Sequence, residues 1–219
     1  MKTARPWFGH EPGRWGGASH EDLVEAGVFD ARGWPTVIPA DLRSVGTMVL
    51  VDLPEEAAIY AGRYRLQFEG EGIVEVRGRA TNARYGPGEV RFDFTPGLSG
   101  VDIRINRTKA ENPVRNITVV REDQAEAFDA GAIFNPLWLA AIERFDTLRL
   151  MDWMLAYPRP QTDWESRPRV DDYAYTRAGV PLEVMIELAN ETGANPWFSL
   201  PHTVDNDYAR RFARLVKDT

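Results

Sequence analysis

The 219-residue sequence contains no cysteine, which excludes disulfide bonds, thiolate catalysis and cysteine-based metal sites. Its three histidines, His10, His20 and His202, do not have the spacing of metal ligands. A glycine-rich phosphate loop and the Gly-x-Ser-x-Gly turn of serine hydrolases are absent as well. We therefore expect no metal ion and no cofactor.

The sequence also lacks long apolar runs and clusters of basic residues. No run approaches the roughly 20 apolar residues of a membrane-spanning helix, and residues 1–17 contain no apolar segment typical of a signal peptide. The formal net charge is −7 at pH 7, and an acidic chain without a basic cluster is poorly suited to nucleic acid or an anionic membrane. We expect neither as a partner.

Tryptophan, by contrast, is abundant, with seven residues. Five of them fall in segments that are expected to be loops: Trp7, Trp15, Trp34, Trp153 and Trp164. A single loop tryptophan usually packs at the base of its loop. Several of them beside Asp, Arg and His residues also suit a sugar site, because a sugar offers an apolar C–H face to a ring and hydroxyls to charged groups.

The first half of the chain has the pattern of antiparallel β-structure. Residues 1–35 are predicted to form an irregular arm with one short helix, and residues 36–121 to form strands. Apolar and polar residues alternate in GRYRLQF, IVEVRG, EVRFDF, VDIRIN and NITVV. This period of two indicates antiparallel strands with one polar face. Short, evenly spaced strands divided by Gly/Pro turns predict a small β-sandwich.

Residues 122–219 have a different pattern, in which helices and strands alternate. Asn135 and Pro136 begin a helix, Gly193 ends a second one, and DNDYARRFARLV has the apolar spacing of a third. Apolar strands are predicted at Leu148–Trp153 and Trp197–Leu200. The order helix, strand, helix, strand, helix predicts right-handed βαβ units with parallel strands.

Ligands bind at the carboxyl ends of parallel strands, so the segments after the two strands form the candidate site. The first strand leads into Asp152, Trp153, Trp164, Arg167 and Arg169, and the second into Pro201, His202, Asp205 and Asn206.

Several of these residues also have an ordinary structural interpretation. Asp152 can accept hydrogen bonds from loop N–H groups, His202 can be a loop histidine, and Asp205 is expected to cap the last helix. Arg149 lies within an apolar strand, where an unpaired charge is costly, so we expect a carboxylate partner that is either structural or catalytic. The run ESRPRVDDY is expected to be largely a solvated loop.

The segments MKTARPWFGH, FNPLWLAAIERFDTLRLMDWM, DWESRP, GVPLEVMIELANETGANPWFSLPH and DNDYARRFARLV resemble a bacterial family related to glycoside hydrolases. Its members are often labelled cellulose-binding or carbohydrate-binding proteins. The second half is also similar to arabinofuranosidase-like clan A (β/α) barrels. The resemblance implies a fold of the α+β or α/β class, with an antiparallel β-sandwich (36–121) inserted into part of a TIM-like barrel (122–219). The arm 1–35 would follow the first barrel strand.

The resemblance also implies roles for particular residues. In that family the acid/base Glu follows an Asn on a later strand, beyond the point at which this sequence ends, and the nucleophilic Glu lies later still. The only Asn-Glu pair here falls within a predicted helix, so no catalytic carboxylate is carried over. Arg149 resembles an arginine that supports the nucleophile. The expected substrate-binding residues are Arg5, Trp7, Asp152, Trp153, Trp164 and His202.

These observations predict a carbohydrate-active protein that is a portion of a glycoside hydrolase acting on a polysaccharide by a retaining mechanism, and that is not catalytic by itself. The alternatives are a non-catalytic carbohydrate-binding module and an assembly piece completed by another chain. The expected partners are a polysaccharide or oligosaccharide, a second copy of the chain, or a complementary C-terminal half. The full-length protein is expected to be extracellular or periplasmic.

Overall fold

The alternating segments of the first half form antiparallel strands, and the second half combines helices with two short parallel strands. The computed structural model describes residues 2–155 and 163–219. They divide into two compact units, Met1–Gly131 and Ala132–Thr219. This mixture of helices and antiparallel sheets confirms the expected α+β class.

The larger sheet of the first unit has five antiparallel strands, here numbered along the chain, in the order β2-β1-β3-β8-β5. Their bounds are β1 Phe8–His10, β2 Gly17–Ala18, β3 Ser44–Val49, β5 Gly72–Gly78 and β8 Val101–Thr108. In β8, Val101, Ile103 and Ile105 are fully buried. Two strands therefore lie within residues 1–35, where the sequence indicated an irregular arm.

A second sheet has four antiparallel strands in the order β6-β7-β4-β9. Their bounds are β4 Gly62–Glu69, β6 Ala80–Gly86, β7 Glu89–Phe94 and β9 Arg115–Arg121. The alternate residues Val90, Phe92 and Phe94 of β7 are buried. The ring of Tyr64 stacks on Phe92 at a centroid distance of 5.8 Å. The alternation of apolar residues thus predicted the buried face correctly.

One arginine links two of the places at which the chain passes between these sheets. Arg79 is the single residue between β5 and β6, and the chain returns from β7 to β8 through residues 95–100. The Arg79 Nε donates to the carbonyl of Thr95 at 2.7 Å, and Nη2 donates to that of Pro96 at 2.8 Å. Position 97 is glycine because a β-carbon there would lie 2.5 Å from the guanidinium carbon.

Two short helices complete the first unit. Helix α1 spans His20–Glu25 and begins with a capping box, in which Ser19 and Asp22 bond each other's backbone N–H. Helix α2 spans Ala125–Asp129, and its last residue pairs with Arg65 of β4 at 2.8 Å.

The second unit contains the predicted alternation of helices and strands. The order is α3 Pro136–Ile142, β10 Thr147–Arg149, α4 Leu182–Thr192, β11 Asn195–Trp197 and α5 Asn206–Asp218. Strands β10 and β11 are parallel, which confirms that prediction. Both are shorter than the predicted strands and begin one or two residues earlier, so Asp152 lies in the turn after β10.

The helix ends of the second unit follow their sequence signals. The Asn135 side chain accepts from the Leu137 N–H at 2.9 Å, and Pro136 occupies the first turn of α3. Gly193 ends α4 in the left-handed conformation, with φ 68°. The core of this unit consists of Leu150, Met154, Leu182, Met185, Ile186, Leu188, Tyr208 and Phe212. None of the helices in the described part of the chain is long and apolar enough to cross a membrane.

Candidate functional site

A cleft in the second unit is built from the segments that follow β10 and β11. Its cavity volume is about 20 Å³, room for a group of about the size of a water molecule. The lining residues are Met154, Trp164, Arg167, Pro168, Val180, Leu182, Met185, Pro201, Tyr208 and Phe212. Most of these side chains are apolar, and the polar ones are few. This is the usual composition of a small-molecule site.

Arg167 supplies the charge of the cleft. Its side chain is only 10 % exposed, and its guanidinium carbon lies 4.2 Å from the ring centroid of Trp164. The Trp164 ring in turn meets the Tyr208 ring edge-on, at a centroid distance of 5.3 Å. The arginine therefore packs against an aromatic face in a position that water reaches poorly.

Only some of the N–H donors of the guanidinium are hydrogen-bonded. Its Nη2 donates to Glu183 Oε1 at 2.9 Å. Its Nε and Nη1 are buried without a hydrogen-bond partner, as is Oε2 of Glu183. Because Nε carries one N–H and Nη1 carries two, three N–H donors of this one side chain are left unpaired. Unpaired buried donors are costly, so a ligand that accepts from them gains affinity.

Tyr208 is placed in the cleft by the start of α5. The side chain of Asp205 accepts from the Tyr208 N–H at 2.8 Å, which confirms the predicted helix cap. Burial raises the pKa of the Tyr208 phenol above its ordinary value of 10.0, and the charge of Arg167 offsets part of that rise. The phenol is therefore protonated at neutral pH, and its hydroxyl is able to donate.

Of the predicted site residues, Trp164 lines the cleft and three others in the second unit do not. Trp153 packs against Trp138 at a centroid distance of 6.0 Å, and its carbonyl accepts from the Val180 N–H at 2.7 Å. Asp152 and His202 are exposed. His202 directly follows Pro201, which lines the cleft.

Arg149 lies elsewhere on the same unit. It is exposed, with its guanidinium carbon 5.1 Å from the ring centroid of Trp197. Within residues 2–155 and 163–219 it forms no ion pair with a carboxylate. The assumption that Arg149 is buried was wrong: Thr147 and Arg149 project from an exposed face of β10, where water solvates the charge.

Arg5 and Trp7 belong to the first unit. Trp7 has no exposed surface; its indole N–H donates to the carbonyl of Gly33 at 2.9 Å, and its ring lies 6.3 Å from that of Trp34. Arg5 is exposed, and its backbone N–H donates to the Met48 carbonyl at 2.9 Å. Trp7 is thus a core residue, and the structure leaves no face of its ring open to a ligand.

A buried polar cluster in the first unit joins β1 to β8. His10 and Asp102 are 0 % and 2 % exposed, and Nε2 of the imidazole lies 3.6 Å from Oδ1 of the carboxylate. The Gly16 N–H donates to Nδ1 at 3.1 Å, so in the neutral ring Nε2 carries the hydrogen and faces Asp102. Because both side chains are inaccessible to a substrate, we assign this cluster a structural role.

Asp102 also accepts hydrogen bonds through its other oxygen. Oδ2 accepts from the Trp15 indole at 3.2 Å and from Arg104 Nε at 2.8 Å. Burial alone would raise the pKa of Asp102, but the interactions with His10 and Arg104 outweigh it, so the pKa lies below its ordinary value of 3.8. The carboxylate is therefore charged over the whole neutral range.

Sequence reasoning named Arg167 among the residues that follow the first strand, but it did not predict the burial of this side chain in the cleft. The run ESRPRVDDY was expected to be solvated, whereas Pro168 and Tyr173 are buried and Arg167 nearly so. A tryptophan followed three residues later by an arginine is the local signal that could have indicated a stacked pair. Within the described ranges, no group of three or more His, Asp or Glu side chains is arranged to hold a metal ion. Comparisons with protein-family models, curated proteins and solved structures found no match for this chain.

Proposed function

We propose that the second unit binds a carbohydrate in the cleft around Trp164 and Arg167. The protein would then be a glycoside-hydrolase-like, carbohydrate-active protein whose 219 residues do not hydrolyse a polysaccharide by themselves. The observation that carries the proposal is the pairing of an aromatic ring with a buried guanidinium that has unpaired donors, in an otherwise apolar cleft. A sugar meets both, through its C–H faces and its hydroxyl oxygens.

The fold proposed with this function is a β-sandwich inserted into part of a (β/α) barrel. Two observations support it. Strands β10 and β11 are parallel neighbours joined through α4, as in successive units of a barrel. In the first unit, both sheets bury alternate residues, such as Ile103 in one and Phe92 in the other, as the sheets of a sandwich do.

In such a barrel, Arg149 would support a nucleophilic carboxylate that lies outside this chain, as the family resemblance implies. Its exposed position on β10 is compatible with this role, because a carboxylate from a neighbouring strand could reach it. Asp152, Trp153 and His202 remain predicted subsite residues, since they follow the carboxyl ends of β10 and β11.

The test is calorimetric titration of the 219-residue protein with a panel of neutral and acidic oligosaccharides. Trp164→Ala is expected to weaken binding by about 1–3 kcal/mol, the scale of losing one stacked ring. The matched control is Trp197→Ala, since Trp197 is a 57 % exposed tryptophan of the same unit that does not line the cleft. Loss of binding in the control alone, or no binding by the unaltered protein to any sugar, would refute the proposal.

A second candidate function is assembly, favoured by the apolar surface of the second unit. Leu137, Phe145 and Trp197 are 68 %, 49 % and 57 % exposed. Exposed apolar side chains favour association where they form one contiguous patch. The occupant would be a second copy of the chain or the complementary half of a barrel.

A further inference from the structure

We infer that the sugar bound in the cleft is acidic, with a carboxylate that accepts hydrogen bonds from Arg167. The inference rests on the carbohydrate-binding function proposed above and adds the chemical class of the ligand. It depends on the partners that Arg167 has and on those it lacks.

The first step is the state of the guanidinium. Only Nη2 is bonded, and it bonds one oxygen of Glu183. Nε and Nη1 lie inside the protein without an acceptor, although water at the surface would supply one. A buried arginine whose role is only structural normally has its N–H groups hydrogen-bonded to neighbouring acceptors. Arg167 lines the cleft and keeps two nitrogens without an acceptor.

The second step is the match between donors and ligand. A carboxylate is planar and has two oxygens, and it accepts from two N–H groups of one guanidinium at once. A neutral hydroxyl accepts through one oxygen and adds no charge. The aromatic contact strengthens this preference, because Trp164 covers one face of the guanidinium and leaves its N–H edge as the part that can bind.

The third step is the charge around the pair. Glu183 holds Nη2 and, with side-chain exposure of 34 %, keeps contact with solvent, so water screens part of its negative charge. The nearby cations Arg169 and Arg211 both pair with Glu165 at the surface. Among the residues that the structure describes, Arg167 is the one cation that lines the cleft, and a ligand carboxylate is drawn to it.

The experiment uses the intact chain and a ligand pair that differs only in charge. Oligogalacturonates and glucuronate-bearing oligosaccharides are titrated beside their methyl esters, which keep the sugar ring and mask the carboxylate. We expect the acids to bind about tenfold or more tightly than the esters, a difference of about 1.4 kcal/mol, because hydrogen bonds to a charged carboxylate are stronger than those to a neutral ester. Equal affinity for acid and ester overturns the inference while leaving the carbohydrate function intact. Absence of binding to every sugar overturns both.

Variants of the protein give an independent check. Arg167→Lys keeps the charge and the bond to Glu183 but loses the planar set of donors, and we expect it to reduce the preference for acid over ester. Arg167→Met should abolish that preference. It also removes the partner of the half-buried Glu183 and can destabilise the unit, so folding is verified by circular dichroism. A preference that survives in a folded Arg167→Met protein refutes the assignment.

The last experiment uses a simple anion as a competitor. Sodium acetate carries the carboxylate without the sugar ring. We expect acetate to compete with the acidic oligosaccharide only at concentrations far above those of the oligosaccharide, because it makes no contact with Trp164. Competition at equal concentrations would identify a general anion site instead and would overturn the inference.

Discussion

Gly46 lies directly beside the imidazole of His10, where a β-carbon would come within 2.6 Å of Nε2 and 3.1 Å of Oδ1 of Asp102. Strand β3, which carries Gly46, is the neighbour of both β1 and β8. The two buried polar side chains therefore approach each other across the one residue of β3 that has no side chain. A glycine at the centre of this sheet is needed for the cluster to form.

The first prediction is that Gly46→Ala destabilises the first unit. The added methyl group forces His10 away from Asp102, and overpacking of this kind costs about 1–3 kcal/mol. Urea denaturation followed by circular dichroism measures the change. Gly86→Ala is the control, because the new β-carbon there has an ordinary 3.9 Å contact with a backbone oxygen. An equal loss in both variants would show that general strand effects, not the His10 contact, are responsible.

The second prediction concerns acid stability. The pKa of Asp102 is lower in the folded state than the ordinary 3.8, so this carboxylate stabilises the fold above the unfolded pKa. That stability is lost as the pH falls from about 4 through the lower folded pKa. We expect Asp102→Asn to remove this contribution, so that its melting temperature falls less steeply than that of the unaltered protein between pH 5 and pH 2. Parallel curves for the two proteins would contradict the prediction.

The third prediction tests the cap of α5. Asp205→Ala removes the acceptor of the Tyr208 N–H and should lower the stability of the second unit by about 1 kcal/mol. Asp207 is the natural control, because it lies in the same turn and forms only an exposed ion pair with Arg211, for which Asp207→Ala should cost about 0.5 kcal/mol or less. Because Tyr208 lines the cleft, Asp205→Ala should also weaken sugar binding. Chemical denaturation and calorimetry measure the two effects separately.

The fourth prediction concerns association through the apolar surface of the second unit. We expect the protein to form dimers or larger species as its concentration rises, measured by light scattering after size-exclusion chromatography. Leu137→Glu should shift the equilibrium towards monomer, because Leu137 is 68 % exposed and a charge opposes its burial in an interface. A protein that stays monomeric at high concentration and melts cooperatively would count against the assembly function.

The strands that the sequence predicted are those with one polar face. EVRFDF places Val90, Phe92 and Phe94 on one side and charged residues on the other, and it forms β7 as expected. Strand β3 was missed because nearly all of its residues are buried, so SVGTMV shows no alternation. Strand β6 was missed for the opposite reason: ATNARYG is largely polar and exposed, and its pairing with β7 gives no apolar signal.

The candidate site was predicted only in part, because the sequence does not show which charged side chains are buried and which are exposed. The sequence placed the candidate site after β10 and β11, where the structure has a cleft, and Trp164 lines that cleft. It could not separate Arg167 from its neighbour Arg169, because both look like surface residues in a polar run. Burial of a guanidinium depends on its partners. Trp164 is a local neighbour of Arg167, but Glu183 is 16 residues away in the sequence, and no local pattern indicates it. The same reasoning explains Arg149, whose apolar neighbours made it look buried.

Arg79 has a consequence for how the first unit comes apart. The side chain of Arg79 holds the segment that returns from β7 to β8, and its backbone links β5 to β6. The hairpin β6–β7 therefore cannot detach from the four-stranded sheet without pulling on β5 and β8 of the five-stranded sheet. The two sheets are therefore coupled in unfolding, and their amide hydrogens should exchange with solvent as one cooperative group. Neither sheet then opens alone to expose its edge strand to proteases.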